Sequence, residues 1–328
     1  MAKSPIVLFL FKRSSTLPQI IARIKEYLPT KIYLIADGPR NTSENSLVLS
    51  TRSKALELID WDCEVIENYV NENHGVYDRI GKGANWVFER EDRAIFLEDD
   101  NLPESTFFKY CDTLLDQYED NPKIAWICGT NYLEDSSYIG EESYYYTRHL
   151  LPCGWASWSK KFRSYYDGEL ETLNNYSVQR MSETYIDKRL FKQELHYIYL
   201  TKFLLNNSPK SASWDRQMIF SIRSKLLYGI APKYNQIKNI GADELSTHGG
   251  TNLKKEMTFR FCERSTFPLQ FPLTSPTEIK INKVFERKIG SIILQPFNTR
   301  ILFFIGRIIK IFLRLPKHQS LTYYFKRK

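Results

Sequence analysis

The chain of 328 residues is 42% hydrophobic and 26% charged, and its formal net charge is +8. These proportions are ordinary for a globular protein. No repeat of roughly 20–50 residues is visible, which argues against a solenoid or a propeller. The length allows one large domain or two small ones.

Apolar runs and segments of helical spacing alternate along the first half of the chain. Strands are predicted at residues 6–11, 31–36, 63–68 and 94–97, and helices at about 17–27, 43–59 and 75–88. A further helix follows residue 104, and a strand is predicted at 123–129. This alternation predicts an α/β fold with a mainly parallel, doubly wound sheet. It breaks down after about residue 138.

The strand predicted at 94–97 runs directly into three acidic residues, Glu98, Asp99 and Asp100. Removing water from a carboxylate is costly, so acids at the end of a buried strand usually face a positive group. A divalent cation held by carboxylates and by the phosphates of a substrate meets that need. The alternative is a strand that ends in an acidic surface turn. In open α/β sheets, however, ligands bind at the carboxyl ends of strands.

The run AIFLEDDNLPESTFFKYCDTLLDQYEDNPKIAWICGTNY resembles the core of GT-A-fold glycosyltransferases. The nearest family is that of the Golgi alpha-mannoside beta-1,2-N-acetylglucosaminyltransferases, and related bacterial enzymes share the plan. The resemblance extends from about residue 5 to about residue 261 and is most specific around the three acids. It implies a GT-A fold, which is Rossmann-like, and a nucleotide-diphosphate sugar as the donor.

The resemblance also implies which residues contact the donor nucleotide. Arg13 falls at the family's arginine position after the first strand, and Asp37 matches an aspartate that hydrogen-bonds the base. Arg79 and Lys82 lie on the helix that flanks the nucleotide. The alternatives are an ordinary strand-end arginine for Arg13 and a turn-forming aspartate before glycine for Asp37. The family often has histidine near Arg79, so the identity of the base stays open.

Within the acidic triplet, the resemblance implies three different roles. Asp100 binds the metal directly, Asp99 contacts the ribose or binds the metal through water, and Glu98 supports the loop. Mg²⁺ and Mn²⁺ both suit carboxylate and phosphate oxygens, and the sequence does not choose between them.

Three further positions complete the implied site. Asp215 matches the family's catalytic base, although it is also placed to be the N-cap of a helix at 216–224. His248, in Ser-Thr-His-Gly-Gly, would complete the metal shell or hydrogen-bond a donor phosphate; otherwise it is a polar loop histidine. Trp155, in a glycine-tryptophan turn, would line the sugar pocket, and core packing is its alternative.

The last 50 residues carry most of the positive charge. Residues 279–328 contain 12 Lys and Arg and one acid, whereas the rest of the chain contains 34 basic and 37 acidic residues. The basic residues Arg300, Arg307, Lys310 and Arg314 form one stripe on an otherwise apolar helix. Such a helix suits the surface of an anionic membrane and is too often interrupted by charge to span one. Packing against the catalytic domain is the alternative, and no recognisable motif indicates nucleic-acid binding.

The cysteines and the N-terminus bear on the compartment. The five cysteines form no CxxC pair, and the apolar run at 6–11 is too short for a signal sequence or a membrane span. An odd number of cysteines without a signal favours a reducing compartment. We therefore expect a cytoplasmic protein, peripheral on the inner face of a bacterial-type cell membrane.

Together these observations predict a GT-A catalytic domain over residues 1–275 and a basic, membrane-associating segment over 276–328. Within the domain, about 1–135 would bind the nucleotide sugar and about 136–275 the acceptor. The predicted activity is metal-dependent, inverting transfer from a UDP-sugar to a surface glycan such as lipopolysaccharide or capsule. The alternatives are a retaining transferase, a nucleotidyltransferase of similar fold, and a non-catalytic carbohydrate-binding or membrane-scaffold protein.

Overall fold

A computed structural model of the chain describes residues 3–242 and 256–315, together with residue 321. Its strands are β1 (Ile6–Leu10), β2 (Lys31–Ala36), β3 (Glu64–Tyr69), β4 (Arg93–Glu98), β5 (Asn101–Pro103), β6 (Ile124–Cys128), β7 (Tyr144–Thr147), β8 (Trp155–Trp158), β9 (Tyr228–Pro232) and β10 (Ile237–Asn239). Its α-helices are α1 (Leu17–Tyr27), α2 (Asn45–Leu58), α3 (Gly83–Phe88), α4 (Phe107–Gln117), α5 (Ser159–Tyr165), α6 (Asn175–Glu183), α7 (Lys188–Asn207), α8 (Asp215–Ser224), α9 (Glu256–Phe261), α10 (Lys283–Ile293) and α11 (Phe297–Phe312).

Eight of these strands form one central sheet in the order β3-β2-β1-β4-β8-β6-β9-β7. The pairs β3–β2, β2–β1, β1–β4 and β6–β9 are parallel, and β8 and β7 run antiparallel to their neighbours. The chain order reverses between β1 and β4, so these two strands form the switch point of the sheet. Ligands of doubly wound sheets bind at the carboxyl ends of the strands at that point.

The central strands are apolar on both faces because helices cover both sides of the sheet. On one face, Ile6, Leu8 and Leu10 of β1 pack with helices α1 and α4 in one core cluster. On the other face, Val7 and Phe9 belong to a second cluster that contains residues of α3, α5, α8 and α10. Alternate residues of one strand therefore contribute to two cores, as the two-residue period of a strand requires.

The structure confirms the predicted α/β class and the mainly parallel sheet. Helix α1 and strand β2 have the predicted bounds, and the C-cap residue of α1, Leu28, adopts a left-handed conformation. The helix predicted at 75–88 differs in detail, because its first part, Tyr77–Lys82, is a π-helix that continues into α3.

The C-terminal segment is divided between packed and exposed parts. Phe285 and Ile289 of α10 are fully buried, and the ring centroid of Phe285 lies 4.9 Å from that of Tyr145. Glu286 accepts hydrogen bonds from the Thr147 hydroxyl at 2.6 Å and from Nη2 of Arg223 at 3.2 Å. The predicted boundary at 275/276 would separate these residues from their core, so the packed domain extends through α10.

Helix α11 has a different environment from α10. Several of its large apolar side chains are exposed: Phe297, Ile301, Leu302, Ile305, Ile308, Ile309, Ile311 and Phe312. Within the described part of the chain, no helix has the length and apolarity needed to cross a bilayer. Residues 316–320 and 322–328 of the predicted membrane-associating segment lie outside the described residues.

The packing of α10 predicts a sharp difference between two truncations. A chain that ends at Pro276 loses Phe285 and Ile289 and leaves buried Arg223 without Glu286, and breaking a buried ion pair costs about 3–5 kcal/mol. Because typical folding free energies are only about 5–15 kcal/mol, we expect this chain to be unfolded or strongly destabilised. A chain that ends at Pro296 keeps these contacts, and its thermal unfolding midpoint should match that of the full chain. Equal midpoints for both truncations would contradict the packing role of α10.

Candidate active site

The three acids lie where β4 ends, beside the end of β1 and therefore at the switch point of the sheet. Oδ2 of Asp99 accepts a hydrogen bond from the backbone N–H of Phe11 at 2.8 Å, and its carbonyl oxygen accepts one from the hydroxyl of Thr16 at 2.5 Å. The loop after β1 is thus fixed to the acids by the backbone as well as by side chains.

Arg13 lies between two of the acids. Its Nη1 is 3.2 Å from Oδ1 of Asp99 and 3.3 Å from Oδ2 of Asp100, and its side chain is only 13% exposed. Nη2 donates to the carbonyl oxygen of Gly241 at 3.4 Å. The structure brings Arg13 to the acids, a contact that the sequence did not predict, and its predicted contact with a donor nucleotide stays a prediction.

Asp100 is held from three directions. Nδ2 of Asn101 donates to its Oδ1 at 2.6 Å, and the backbone N–H of Ile240 donates to its carbonyl oxygen at 2.8 Å. Gly241 lies directly against the carboxylate, since a Cβ there would be 2.4 Å from Oδ2. Asn101 is itself oriented by the N–H of Gly154, at 2.9 Å from its Oδ1. The direction of the Asp100 carboxylate is therefore set by its surroundings.

Burial and the neighbouring acids raise the pKa values of Glu98 and Asp99. Burial, with the nearby charges of Asp100 and Asp99, raises the pKa of Glu98 well above its usual range. Burial and the charge of Asp100 raise the pKa of Asp99 to about 6, although Arg13 opposes this effect. Negative charge at this point is thus only partly compensated by Arg13, and an additional cation would relieve the repulsion.

The carboxylates at the end of β4 are suited to a divalent cation that is bound jointly by the protein and by the phosphates of a substrate. Within residues 3–242 and 256–315, no group of three or more His, Cys, Asp or Glu side chains could hold a metal ion. Mg²⁺, however, is usually bound by one or two carboxylates together with substrate phosphates and waters. The Asp100 carboxylate, fixed by Asn101 and placed against Gly241, would provide such a ligand. The other predicted ligand, His248, lies outside the described residues.

Asp215 is the first residue of α8. The N-cap of this helix is Trp214, and no side-chain capping hydrogen bond is present. The capping alternative for Asp215 is therefore wrong. After burial and the charges of Asp100 and Asp99, its charge also contributes to the raised pKa of Glu98, and its Oδ2 lies 3.6 Å from Nε of Arg216. The role of Asp215 as a base stays a prediction.

Asp37 has no spare acceptor site in this structure. Its Oδ1 accepts from the backbone N–H groups of Gly38 and His74 at 2.9 and 2.8 Å. Its Oδ2 accepts from Nδ2 of Asn73 at 2.7 Å and from the N–H of Gly75 at 2.9 Å. A carboxylate offers about four acceptor positions, and all four are used. The geometry thus favours the turn-forming alternative over contact with a nucleotide base.

Arg79 and Lys82 occupy two different environments. Arg79 is buried, and its Nη2 donates to the carbonyl oxygen and to Oδ1 of Asn68, at 2.6 and 2.9 Å. Burial lowers the pKa of Arg79. The Lys82 side chain is 56% exposed, with Nζ 3.7 Å from Oε1 of Glu169. Arg79 is therefore committed to the end of β3, whereas Lys82 remains accessible to a ligand.

Trp155 is a core residue. It is 2% exposed, and its ring stacks on Phe96 at 3.8 Å and on Trp126 at 4.1 Å between centroids. Because β8 lies between β4 and β6, these two rings cover opposite faces of the indole. A sugar cannot stack on a face that is already covered, so the predicted sugar-pocket role of Trp155 is corrected to core packing.

Two cysteines that the sequence did not single out lie beside the acids. Burial, together with the charges of Glu98 and Asp100, raises the pKa of Cys153 well above its usual range. Burial and Asp100 raise the pKa of Cys262 to about 11. Both are therefore neutral thiols at physiological pH. No sequence signal marks them or Gly241, whereas Asn101 could have been found as the polar neighbour of Asp100.

Comparisons with known proteins give structural similarity only. No protein-family model matches the chain, and no curated protein matches it by sequence. Among solved structures, a TarS fragment (residues 1–349) of S. aureus matches with a TM-score of 0.40 and 10% identity, over 73% of this chain and 61% of that one. The chain thus spans less than two thirds of the TarS fragment.

Two other similar structures contain nucleotide or sugar ligands. The mannosyltransferase PcManGT from Pyrobaculum calidifontis, in complex with GDP-Man and Mn²⁺, matches with a TM-score of 0.36 and 10% identity over 68% of this chain and 69% of that one. GalNAc-T7 with UDP, GalNAc and Mn²⁺ matches with a TM-score of 0.40 and 11% identity over 66% and 56%. A UDP-glucose pyrophosphorylase is also among the matches. Similarity at this level does not assign an activity.

Because four hydrogen-bond donors occupy the acceptor positions of the Asp37 carboxylate, we expect substitution of Asp37 to destabilise the fold. Asp37→Asn replaces one acceptor oxygen by an NH₂ group that faces two donors, so the unfolding free energy should fall by about 2–4 kcal/mol. Chemical denaturation measures this loss. As a control, Asp78→Asn in the same region removes a half-exposed carboxylate beside His74 and should change stability by less than about 1 kcal/mol. Unchanged stability with lost nucleotide affinity would instead restore the base-contact role of Asp37.

Proposed function

We propose that this protein is a metal-dependent glycosyltransferase that transfers a sugar from a nucleotide-diphosphate donor, with inversion at the anomeric carbon. One observation carries the proposal: three successive acids lie at the end of β4, at the switch point of the sheet, and Arg13 is 3.2–3.3 Å from two of them. Burial and the charges of Asp100 and Asp99, with a smaller contribution from Asp215 in the second half of the chain, raise the pKa of Glu98. Such a convergence of acids is costly unless cationic ligands or proton transfer use it.

Asp100 would hold the Mn²⁺ or Mg²⁺ ion, which as a Lewis acid would neutralise the developing charge of the leaving diphosphate. Arg13 is placed to add a second positive group there, because its guanidinium already contacts Asp99 and Asp100. A guanidinium binds phosphate oxygens through a fixed fork of donors. Lys82 is accessible and adds positive charge on the helix that flanks the site.

In the transfer step, an acceptor hydroxyl oxygen attacks the anomeric carbon while the bond from that carbon to the phosphate oxygen breaks. The nucleoside diphosphate leaves with the electron pair of that bond, and Asp215 takes the proton of the hydroxyl. Asp215 suits this task because it is partly exposed, with 27% of its side chain accessible, and is not used as a helix cap. General-base assistance of this kind is worth about 10²–10⁴-fold in rate.

The resemblance of residues 94–132 to GT-A enzymes supports a UDP-linked hexose or N-acetylhexosamine as the donor. A surface glycan, such as lipopolysaccharide or capsule, is the proposed acceptor, and the reaction would take place at the inner face of the cell membrane. These finer assignments depend on the resemblance and on the basic C-terminal segment.

Two alternative functions lead to different products. A nucleotidyltransferase would use a glycine-rich phosphate loop after the first strand, whereas the chain there reads LFKRSSTLP. Such an enzyme would form a nucleotide sugar and release pyrophosphate. A carbohydrate-binding or scaffold protein would bind ligand without releasing nucleoside diphosphate.

The test is a panel of nucleotide sugars with Mn²⁺, assayed for release of nucleoside diphosphate and of pyrophosphate. We expect nucleoside diphosphate, from transfer or from slow donor hydrolysis.

Asp215→Asn should lower turnover by roughly 10²-fold or more with donor affinity unchanged, because it removes only the proton acceptor. Asp100→Asn should instead abolish Mn²⁺-dependent donor binding, measured by thermal shift.

The matched control is Glu57→Gln, which neutralises an exposed acid on α2 and should leave both readouts unchanged. Pyrophosphate release from a nucleoside triphosphate and a sugar phosphate would show a nucleotidyltransferase. Donor binding without any turnover would show a binding protein. Retained turnover in Asp215→Asn would reject its role as the base.

We also propose that α11 associates with an anionic membrane surface. Its side chains Phe297, Leu302, Ile311 and Phe312 are 67–83% exposed, and an apolar face of this size is usually covered by a partner or a membrane. The basic residues of the same segment would face anionic head groups.

The full chain should therefore co-sediment with vesicles that contain phosphatidylglycerol and only weakly with pure phosphatidylcholine vesicles. Salt screens the charge contribution but not apolar burial, so high salt should release the protein only in part. A chain that ends at Pro296 should lose most of the binding, at least about tenfold, while it keeps donor turnover. If the full chain ignores anionic vesicles, α11 packs on a protein partner instead.

A further inference from the structure

A second cavity lies away from the acids, between the start of α7, the end of α8 and α10. It has a volume of about 460 Å³, within the range of small-molecule sites. We call it the α7–α10 cavity. The residues that matter for its chemistry are Tyr185, Lys188, Arg189, Arg223, Glu286 and Arg287, all of which line it.

The back wall of the cavity is a buried polar network. Arg223 is 1% exposed; its Nη2 lies 3.1 Å from Nδ1 of His149 and 3.2 Å from Oε1 of Glu286. Its Nη1 donates to the carbonyl oxygen of Thr184 at 3.1 Å. Burial lowers the pKa of His149, so this imidazole is neutral at physiological pH. The wall is therefore fixed in position, and its one carboxylate is already paired.

The mouth of the cavity has an excess of positive charge. Asp187 is paired with Arg189 at 2.7 Å, and Glu286 is paired with Arg223. This leaves Lys188 and Arg287, which lie on different helices and line the same cavity. Lys188 donates from Nζ to the carbonyl oxygen of Ser182, and Arg287 has no ion-pair partner among the described residues. Two cations at one cavity without a paired acid favour an anionic ligand.

One further observation points to a ligand. The hydroxyl of Tyr185 is buried in the wall and has no hydrogen-bond partner within the described ranges, although buried hydroxyls normally have one. The N-terminus of α7, in contrast, is already capped by the carboxylate of Asp187, which accepts a hydrogen bond from the backbone N–H of Arg189 at 2.8 Å.

The cavity is not uniformly polar. Ile186, which is 41% exposed, and Leu294 also line it. Leu294 follows α10 directly, only a few residues before the exposed apolar helix α11. A ligand that fills this cavity therefore needs an anionic group for Lys188 and Arg287 and an apolar part for Ile186 and Leu294.

We propose that the α7–α10 cavity binds a phosphate group attached to an apolar molecule, namely the head group of an anionic phospholipid. Phosphate offers several acceptor oxygens to Lys and Arg donors on two helices, and such charge-assisted hydrogen bonds are strong. The site is separate from the acids at the end of β4 and binds its ligand without any turnover there.

The test is isothermal titration of the full chain with water-soluble, short-chain phosphatidylglycerol, phosphatidylcholine of equal chain length, glycerol 3-phosphate and inorganic phosphate. We expect phosphatidylglycerol to bind most tightly and phosphatidylcholine to bind weakly. The double variant Lys188→Ala/Arg287→Ala should weaken phosphatidylglycerol binding by roughly tenfold or more, because two charge-assisted contacts are lost. The side chains changed in this double variant and in its control, Lys192→Ala/Lys283→Ala, are all exposed, so both proteins should fold.

The matched control is Lys192→Ala/Lys283→Ala, which removes the same charge from the same two helices outside the cavity. It should bind within about twofold of the parent chain, since diffuse surface charge contributes little to a specific site. Ser291→Trp keeps every charge but fills the cavity from α10, and it should also lose binding. A loss that is equal in both double variants, or full binding by Ser291→Trp, would overturn the site.

The titrations with glycerol 3-phosphate and inorganic phosphate distinguish a lipid head group from a soluble phosphate compound as the ligand. If glycerol 3-phosphate or inorganic phosphate binds as tightly as phosphatidylglycerol, and only Lys188→Ala/Arg287→Ala weakens it, the ligand is a soluble phosphate compound and the lipid assignment is wrong. If none of the four compounds binds, the whole proposal is wrong. Donor turnover should be unchanged in all these variants, so failure here is distinguishable from failure of the glycosyltransferase proposal.

Discussion

Negative charge concentrated at the carboxyl end of β4 is the constraint on which the rest of the candidate site depends. Three successive acids cannot lie in a buried position without compensation, and the structure supplies part of it with Arg13, 3.2–3.3 Å from Asp99 and Asp100. The guanidinium reaches this position because β1 and β4 are parallel neighbours, so the loop after one strand meets the acids after the other. The compensation is incomplete, as the raised pKa values of Glu98 and Asp99 indicate, and a cation with a phosphorylated ligand would supply the remainder.

Much of the surrounding backbone serves to hold these acids in place. Strands β5 and β10 form a small antiparallel sheet whose extension brings Gly241 against Asp100. A residue with a side chain at position 241 would collide with that carboxylate. Asn101 connects the same carboxylate to Gly154, before β8, and Thr16 connects Asp99 to the start of α1. Because the loop after β1 and the segment after β10 contact the acids directly, and Gly154 contacts them through Asn101, their geometry depends on distant parts of the domain.

The sequence predicted the features that depend on local pattern. The strand that carries the acids, the bounds of α1 and β2, and the α/β class all follow from periodicity within short windows. It did not predict features that depend on distant partners. Asp37 is saturated by donors from residues 73–75, and Trp155 is covered by rings from β4 and β6. Likewise, Phe285 and Ile289 look like part of a charged tail in sequence, and only the fold shows that they complete a core.

Helix α8 joins the two charged regions of the molecule. It begins with Asp215, whose charge contributes to the raised pKa of Glu98, and ends near Arg223, in the wall of the α7–α10 cavity. An acid in the first turn and a base in the last turn both match the helix dipole, so the two charges stabilise the helix that separates them. With a rise of 1.5 Å per residue, the eight-residue interval corresponds to about 12 Å. A ligand in the cavity therefore contacts the wall formed by the same rigid element that positions the candidate base. Any coupling between the two sites has a direct physical route along α8, whose residues Met218 and Ile222 are buried in the core.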